Sequence, residues 1–119
     1  MYSGIVIKGD GVAREFGFPT ANLNYEVKDE TKVSTGVFAA LVFFDKQKYN
    51  SALIIIPHGK SFKFEVHVLD FEGDLYGKYL EVDLVQKVSE IEKYDSQEEL
   101  LEKIKHDIEM VKEVFAGRN

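Results

Sequence analysis

Cysteine is missing from all 119 residues, so there is no disulfide framework, no thiolate nucleophile and no sulfur-ligated metal. Such a chain suits a reducing compartment, and a cytoplasmic location is expected. Long apolar runs are missing as well. Runs such as "ALIIIP" are far too short to span a bilayer. The start, "MYSGIVIKGDG", has no basic segment leading into a long apolar one, which argues against a signal peptide. No basic stripe occurs, and a formal net charge of -6 disfavours a nucleic-acid backbone as partner. A single nucleotide remains compatible, because a divalent cation and a few backbone N–H groups can hold phosphates locally. A monomer without nucleic-acid or membrane partners is therefore expected. Internal repeats, low-complexity tracts and linkers are absent too, and the only prolines, Pro19 and Pro57, sit where extended segments should end.

What is present is ordinary for a folded domain: 45% hydrophobic and 30% charged residues, enough to bury a core in one unit over 1–119. "YSGIVIK" alternates and predicts a first strand, followed by a polar, glycine-bearing loop from Gly9 to about Thr20. "GVFAALVFFD" (36–45) is a largely buried strand, "KQK" a hairpin turn, and "YNSALIII" (49–56) the returning strand. In "FKFEVHVLDF" (62–71), Phe62, Phe64, Val66 and Val68 share one face, and Lys63, Glu65, His67 and Leu69 the other. "EGDLYGK" is a turn, and "YLEVDLVQKVSEI" (79–91) alternates again. The period then changes. Leu100, Ile104, Ile108, Val111 and Phe115 mark an amphipathic helix, opened by the Ser96/Glu99 capping box and closed near Gly117. Five or six strands and a closing helix predict an antiparallel barrel over about 2–92, with the helix over about 96–116 covering an open end or one face.

The chemistry gathers in "GFPTAN" (17–22). In an extended segment Thr20 and Asn22 point the same way, and a hydroxyl with an amide carbonyl is the kind of hard-oxygen pair Mg²⁺ accepts beside phosphate oxygens. Pro19 stiffens the approach and Gly17 permits a sharp turn. The plainer reading is a turn whose polar residues bond their own backbone. Gly9 and Gly11 follow a strand but precede no helix, so they lack the setting of a dinucleotide fingerprint. "GDLYGK" is not a P-loop: it has three residues between its glycines, and Tyr79 follows the lysine where Ser or Thr would bind metal. Glu65, mid-strand between Phe64 and Val66, is costly unless its face opens to solvent or a site. It could orient a hydroxyl for phosphoryl transfer, or simply pair with a neighbouring lysine on a polar face. His58, His67 and His106 show no shared ligand spacing, so zinc is not expected. His67, on Glu65's face, is at most a supporting residue, and the acids of "QEELLEK" are the helix's solvated face.

Taken together, "GDGVAREFGFPTANL", "GVFAALV", "EVHVLDFEGDLYGK" and "YDSQEELLEKIKHDI", in this order, resemble the riboflavin kinase family, including the kinase module of bifunctional FAD synthetases, from about Gly4 to about Val111. The resemblance implies a six-stranded Greek-key barrel with a C-terminal helix. It implies transfer of the ATP γ-phosphoryl group to the 5′-hydroxyl of riboflavin, giving FMN and ADP. It further implies that Thr20 and Asn22 bind Mg²⁺ and phosphate, that Glu65 is the catalytic base, and that the loop Gly9–Gly17, with Gly11 and Arg14, is a flap over the nucleotide phosphates beside Pro19. Since the chain as given starts three residues before Gly4, adenylyl transfer to FAD is not expected.

Three stretches depart from the family pattern. Val12 and Ala13 replace an Arg-Gly pair in the flap, leaving Arg14. "ALIIIPHGKSF" is shorter and more apolar than the corresponding family segment, and Ser89 stands where an arginine is usual. They leave open a weakened or inactive flavin- or nucleotide-binding module on the same barrel, or a kinase using another nucleoside triphosphate such as CTP.

Overall fold

The computed structural model describes residues 2–7, 20–27, 32–92 and 95–117. Six strands and one helix make up the fold: β1 (Tyr2–Ile7), β2 (Ala21–Asn24), β3 (Gly36–Phe44), β4 (Gln47–His58), β5 (Ser61–Val68), β6 (Tyr79–Ser89) and α1 (Gln97–Ala116). The strands close into a barrel in the order β1-β2-β5-β4-β3-β6, every pairing antiparallel. Strands β3, β4 and β5 are joined by tight hairpins, and β6 returns by a longer connection to lie beside β3, which is Greek-key order. Closure leaves no strand edge unpaired.

Alternation sorts side chains between the barrel's inside and outside. Val6, Leu23, Leu53, Ile55, Phe64, Val66, Leu80 and Val82 fill the interior. Each such side chain contributes about 1.5–3 kcal/mol through burial. Ser51, also fully buried, is satisfied by donating to the Ala40 carbonyl at 2.9 Å. Tyr2 stacks edge-on against Tyr25 at 4.9 Å, and burial, then the neighbouring Tyr25 charge, raise the pKa of its hydroxyl. Gly4 of β1 leaves room for the end of β2: a Cβ there would lie 2.2 Å from the Asn24 carbonyl oxygen.

Helix α1 lies on the barrel's outer wall. Its Ile108 and Val111, with Ile104, Val114 and Phe115, pack on the outward Val37 and Ala39 of β3 and Ala52 of β4, and on Leu69. The two alanines, both fully buried, keep that wall flat enough for the helix to come close. Of the two positions foreseen for the helix, it takes the face rather than an open end. Leu69, expected on the side opposite Phe64 and Val66, lies beneath it on that outer wall. At the helix start, the Ser96 hydroxyl accepts from the Glu99 N–H at 3.2 Å, while the Glu99 carboxylate accepts from the Asp95 N–H at 3.3 Å. The cap is thus shared over two residues. Ser96→Ala is expected to cost about 1 kcal/mol, read as a lowered urea midpoint at constant m-value. Gly117 does occupy the C-cap, but with φ -83 it is not left-handed, so glycine is not required there.

The hairpins sit slightly differently from expectation. Asp45 and Lys46 form the β3–β4 turn with φ of 51 and 63, so β4 starts at Gln47, inside the "KQK" expected to turn. It then runs on to His58, which places Pro57 as its penultimate residue, paired with Phe62. The apolar "ALIIIPHGKSF" therefore forms a long hairpin turning at Gly59, φ 62.

Candidate active site

The strand register lines up a row of outward-facing residues, one from each strand, running from β1 round to β6. Ile7 of β1 pairs with Asn22, Asn22 with Glu65, Glu65 with Ile54, Ile54 with Val37, and Val37 with Ser89 of β6. Directly opposed residues point to the same side, with Cβ atoms about 5 Å apart. Asn22 and Glu65, 43 positions apart in sequence, are thereby neighbours on the outside of the barrel.

Thr20 joins them. Its hydroxyl lies 3.5 Å from Glu65 Oε1, and the Lys63 ammonium lies 3.8 Å from the same oxygen. Both contacts are longer than a strong hydrogen bond or a close ion pair. Though they face away from the interior, Thr20 and Asn22 are only 9% and 6% exposed. The side chains of Lys63 and Glu65 retain 16% and 14%. A hydroxyl, an amide, a carboxylate and an ammonium thus share a nearly dry patch, where charges and dipoles act more strongly than in water. The plain pairing of Glu65 with a lysine is found, but on a patch largely removed from solvent.

Of the residues expected in the site, Thr20, Asn22 and Glu65 come together. Gly9, Gly11, Arg14, Gly17 and Pro19 lie outside the described residues. Among the described residues no group of three or more His, Cys, Asp or Glu could hold a metal. The donors on this patch are instead neutral oxygens of Thr20 and Asn22 beside one carboxylate. That set fits Mg²⁺ sharing its coordination with phosphate oxygens and water, and fits zinc poorly.

Ile54, the cross-strand partner of Glu65 on β4, packs against the helix-facing cluster, so α1's seat borders the patch on one side. Across the helix, a groove of about 600 Å³ runs between β6 and the end of α1, lined by Val85, Val88, Met110 and Val114 with Lys87 and Glu113 at its margins. The polar cluster lies away from that groove, on the β2–β5 side of the barrel.

A family model described as "Flavokinase: Riboflavin kinase" matches residues 1–115. The chain belongs to the riboflavin kinase family. The chain is 30% identical over 118 residues to the RNA-binding riboflavin kinase RibR of Bacillus subtilis, a match covering 95% of this chain and 50% of that protein. It is 32% identical, again over 118 residues, to the bifunctional riboflavin kinase/FMN adenylyltransferase of Escherichia coli K12, covering 95% of this chain and 37% of the relative. The crystal structure of riboflavin kinase from Trypanosoma brucei superposes with a TM-score of 0.71 at 20% identity, covering 98% of this chain and 79% of that one, which places the fold. The chain therefore spans half or less of the curated relatives compared here. Within this family the closed six-stranded barrel with one C-terminal helix is the expected architecture, and it is the one found.

Sequence reasoning passed over one feature, at the β6 end of this row of residues. Ser89 accepts a hydrogen bond from Lys103 of α1, which also contacts the buried Asp107 at 2.5 Å. The signal was available. Asp107 falls at i+3 from Ile104 and i-4 from Val111, on the apolar stripe, with Lys103 one turn before it.

Proposed function

We propose that this domain is a riboflavin kinase that transfers the γ-phosphoryl group of ATP to the ribityl 5′-hydroxyl of riboflavin. One observation carries the reading: the meeting of Thr20 and Asn22 with Glu65 on a single, largely dehydrated patch. Glu65, as base, accepts the proton of the 5′-hydroxyl and orients its oxygen for attack. Thr20 and Asn22 present oxygen atoms toward the phosphate side of the same patch. Mg²⁺ bound there would supply charge neutralisation across the phosphate oxygens. Phosphoryl transfer asks little covalent chemistry of a protein and much positioning and electrostatic stabilisation, which a rigid sheet register provides.

The flap loop Gly9–Gly17, with Gly11 and Arg14, and Pro19 after it, complete the proposed phosphate site. The domain is taken to work as a cytoplasmic monomer. No helix among the described residues is long and apolar enough to cross a membrane. The test is direct: the chain is incubated with Mg²⁺, riboflavin and either ATP or CTP, and FMN is resolved chromatographically. FMN from ATP is expected. FMN from CTP alone would change the nucleotide, and retained riboflavin binding without FMN would replace the kinase by a flavin-binding module.

A further inference from the structure

Lys63 is one position from Phe64, which points into the barrel, and two from Glu65, whose outward face it shares. It is a lysine with little access to water: its side chain keeps 16% of its exposure, and a compact ammonium is costly to bury without a counter-charge. Glu65 Oε1 is that counter-charge at 3.8 Å, and the Thr20 hydroxyl contacts the same oxygen at 3.5 Å. The proposed base therefore has a cation and a hydroxyl at the same carboxylate oxygen. Over Gly9–Gly17 the flap carries a single cation, Arg14, and Val12 is uncharged.

We propose that Lys63 is a triphosphate-binding residue of this site, supplying from β5 a cation that the flap lacks. The inference rests on the kinase reading for its chemistry. In that reaction the alcohol oxygen bonds to the γ-phosphorus and the bridging P–O bond breaks, with its electron pair leaving on the diphosphate. The alcohol's proton passes to Glu65. As Glu65 takes that proton it loses the charge that faces Lys63, which leaves more of the ammonium's field for the phosphate oxygens, where charge grows on the departing diphosphate. Stabilisation that grows towards the transition state raises kcat as well as affinity.

The test uses the full chain with Lys63→Met, Lys63→Arg, Glu65→Gln and the double variant Lys63→Met/Glu65→Gln. Calorimetric titration with Mg²⁺–ATP, repeated with ATP in EDTA, and separate titration with riboflavin give the binding readouts; FMN formation gives kcat and KM. Lys63→Met is expected to weaken ATP about tenfold with and without Mg²⁺, to lower kcat about tenfold or more, and to leave riboflavin affinity unchanged. Lys63→Arg should recover most of both losses. In the Glu65→Gln background Lys63→Met should still weaken ATP, because a lysine acting only through Glu65 would have nothing left to act on. Wild-type affinity and turnover in Lys63→Met, parallel loss of riboflavin and ATP, or no further effect in the double variant would each overturn the assignment. If the wild type binds ATP without forming FMN, the kinase reading falls and the titrations alone judge Lys63. If it binds no ATP, both fall.

Discussion

Glu65→Gln is expected to lower FMN formation by about 10²–10⁴-fold, the range for loss of a positioned general base, while ATP and riboflavin still bind. Glutamine keeps the length of the side chain and an oxygen that can accept from Thr20. It loses the ability to take the hydroxyl proton, and it loses the charge that faces Lys63. A turnover defect with intact binding is therefore the signature of this variant, measured by kcat against the two dissociation constants. Undiminished turnover would show that another group is the base. Equal loss of binding and turnover would make Glu65 a structural residue whose partners collapse without it. The inside of the barrel gives no reason to expect that collapse. The flanking Phe64 and Val66 hold β5 in place from within, 1% exposed each, and Glu65 takes no part in that packing.

How far the sequence alone reached depends on the range of the interaction. Strand β5 was legible because alternation is local: Phe64, Val66 and Val68 inward, Lys63, Glu65 and His67 outward. The helix was legible for the same reason, with its period and capping residues all within twenty positions. Strand β2 was harder. Four residues carry too little periodicity to announce a strand, and Thr20 and Asn22 could be read only as lying in some extended piece. What brings Asn22 to Glu65 is the pairing of β2 with β5 across the closing barrel, a non-local register that no window of sequence contains. The resemblance to a family supplied that partnership; periodicity did not. The β3–β4 turn was misplaced because Asp45 and Lys46 adopt positive φ without glycine, whereas turn chemistry points first to glycine or asparagine.

Ser89 shows how a departure from a family pattern is accommodated. An arginine at position 89, the last residue of β6, would bring its own cation to the interface with α1. With serine there, the cation comes from the helix: Lys103 reaches back to Ser89 and also pairs with Asp107 one turn later. Both charges are largely withdrawn from water, with side chains 15% and 7% exposed, and Asp107 Oδ1 has no hydrogen-bond partner among the described residues. Nothing else described there offsets that carboxylate, so the pair is far more sensitive to loss of one member than to loss of both.

Lys103→Met is accordingly expected to destabilise the fold by about 3 kcal/mol, the lower end for a broken buried pair because Lys103 keeps some contact with solvent. Methionine preserves the apolar stem, so the loss is electrostatic rather than a cavity effect. Replacing both, as Lys103→Met/Asp107→Leu, should return stability to within about 1 kcal/mol of the wild type, since an apolar pair of similar volume avoids the cost of burying charge. Urea unfolding of the two single variants and the double variant closes the cycle. A Lys103→Met variant within a few tenths of a kcal/mol of the wild type would mean that the pair behaves as a surface ion pair and that the helix is held by Ile108 and Val111 alone. A double variant as unstable as Lys103→Met would instead assign the cost to the lost Ser89 bond. The helix seat borders Glu65 through Ile54. Loosening α1 should therefore also raise the KM of FMN formation in Lys103→Met, and the double variant should restore it.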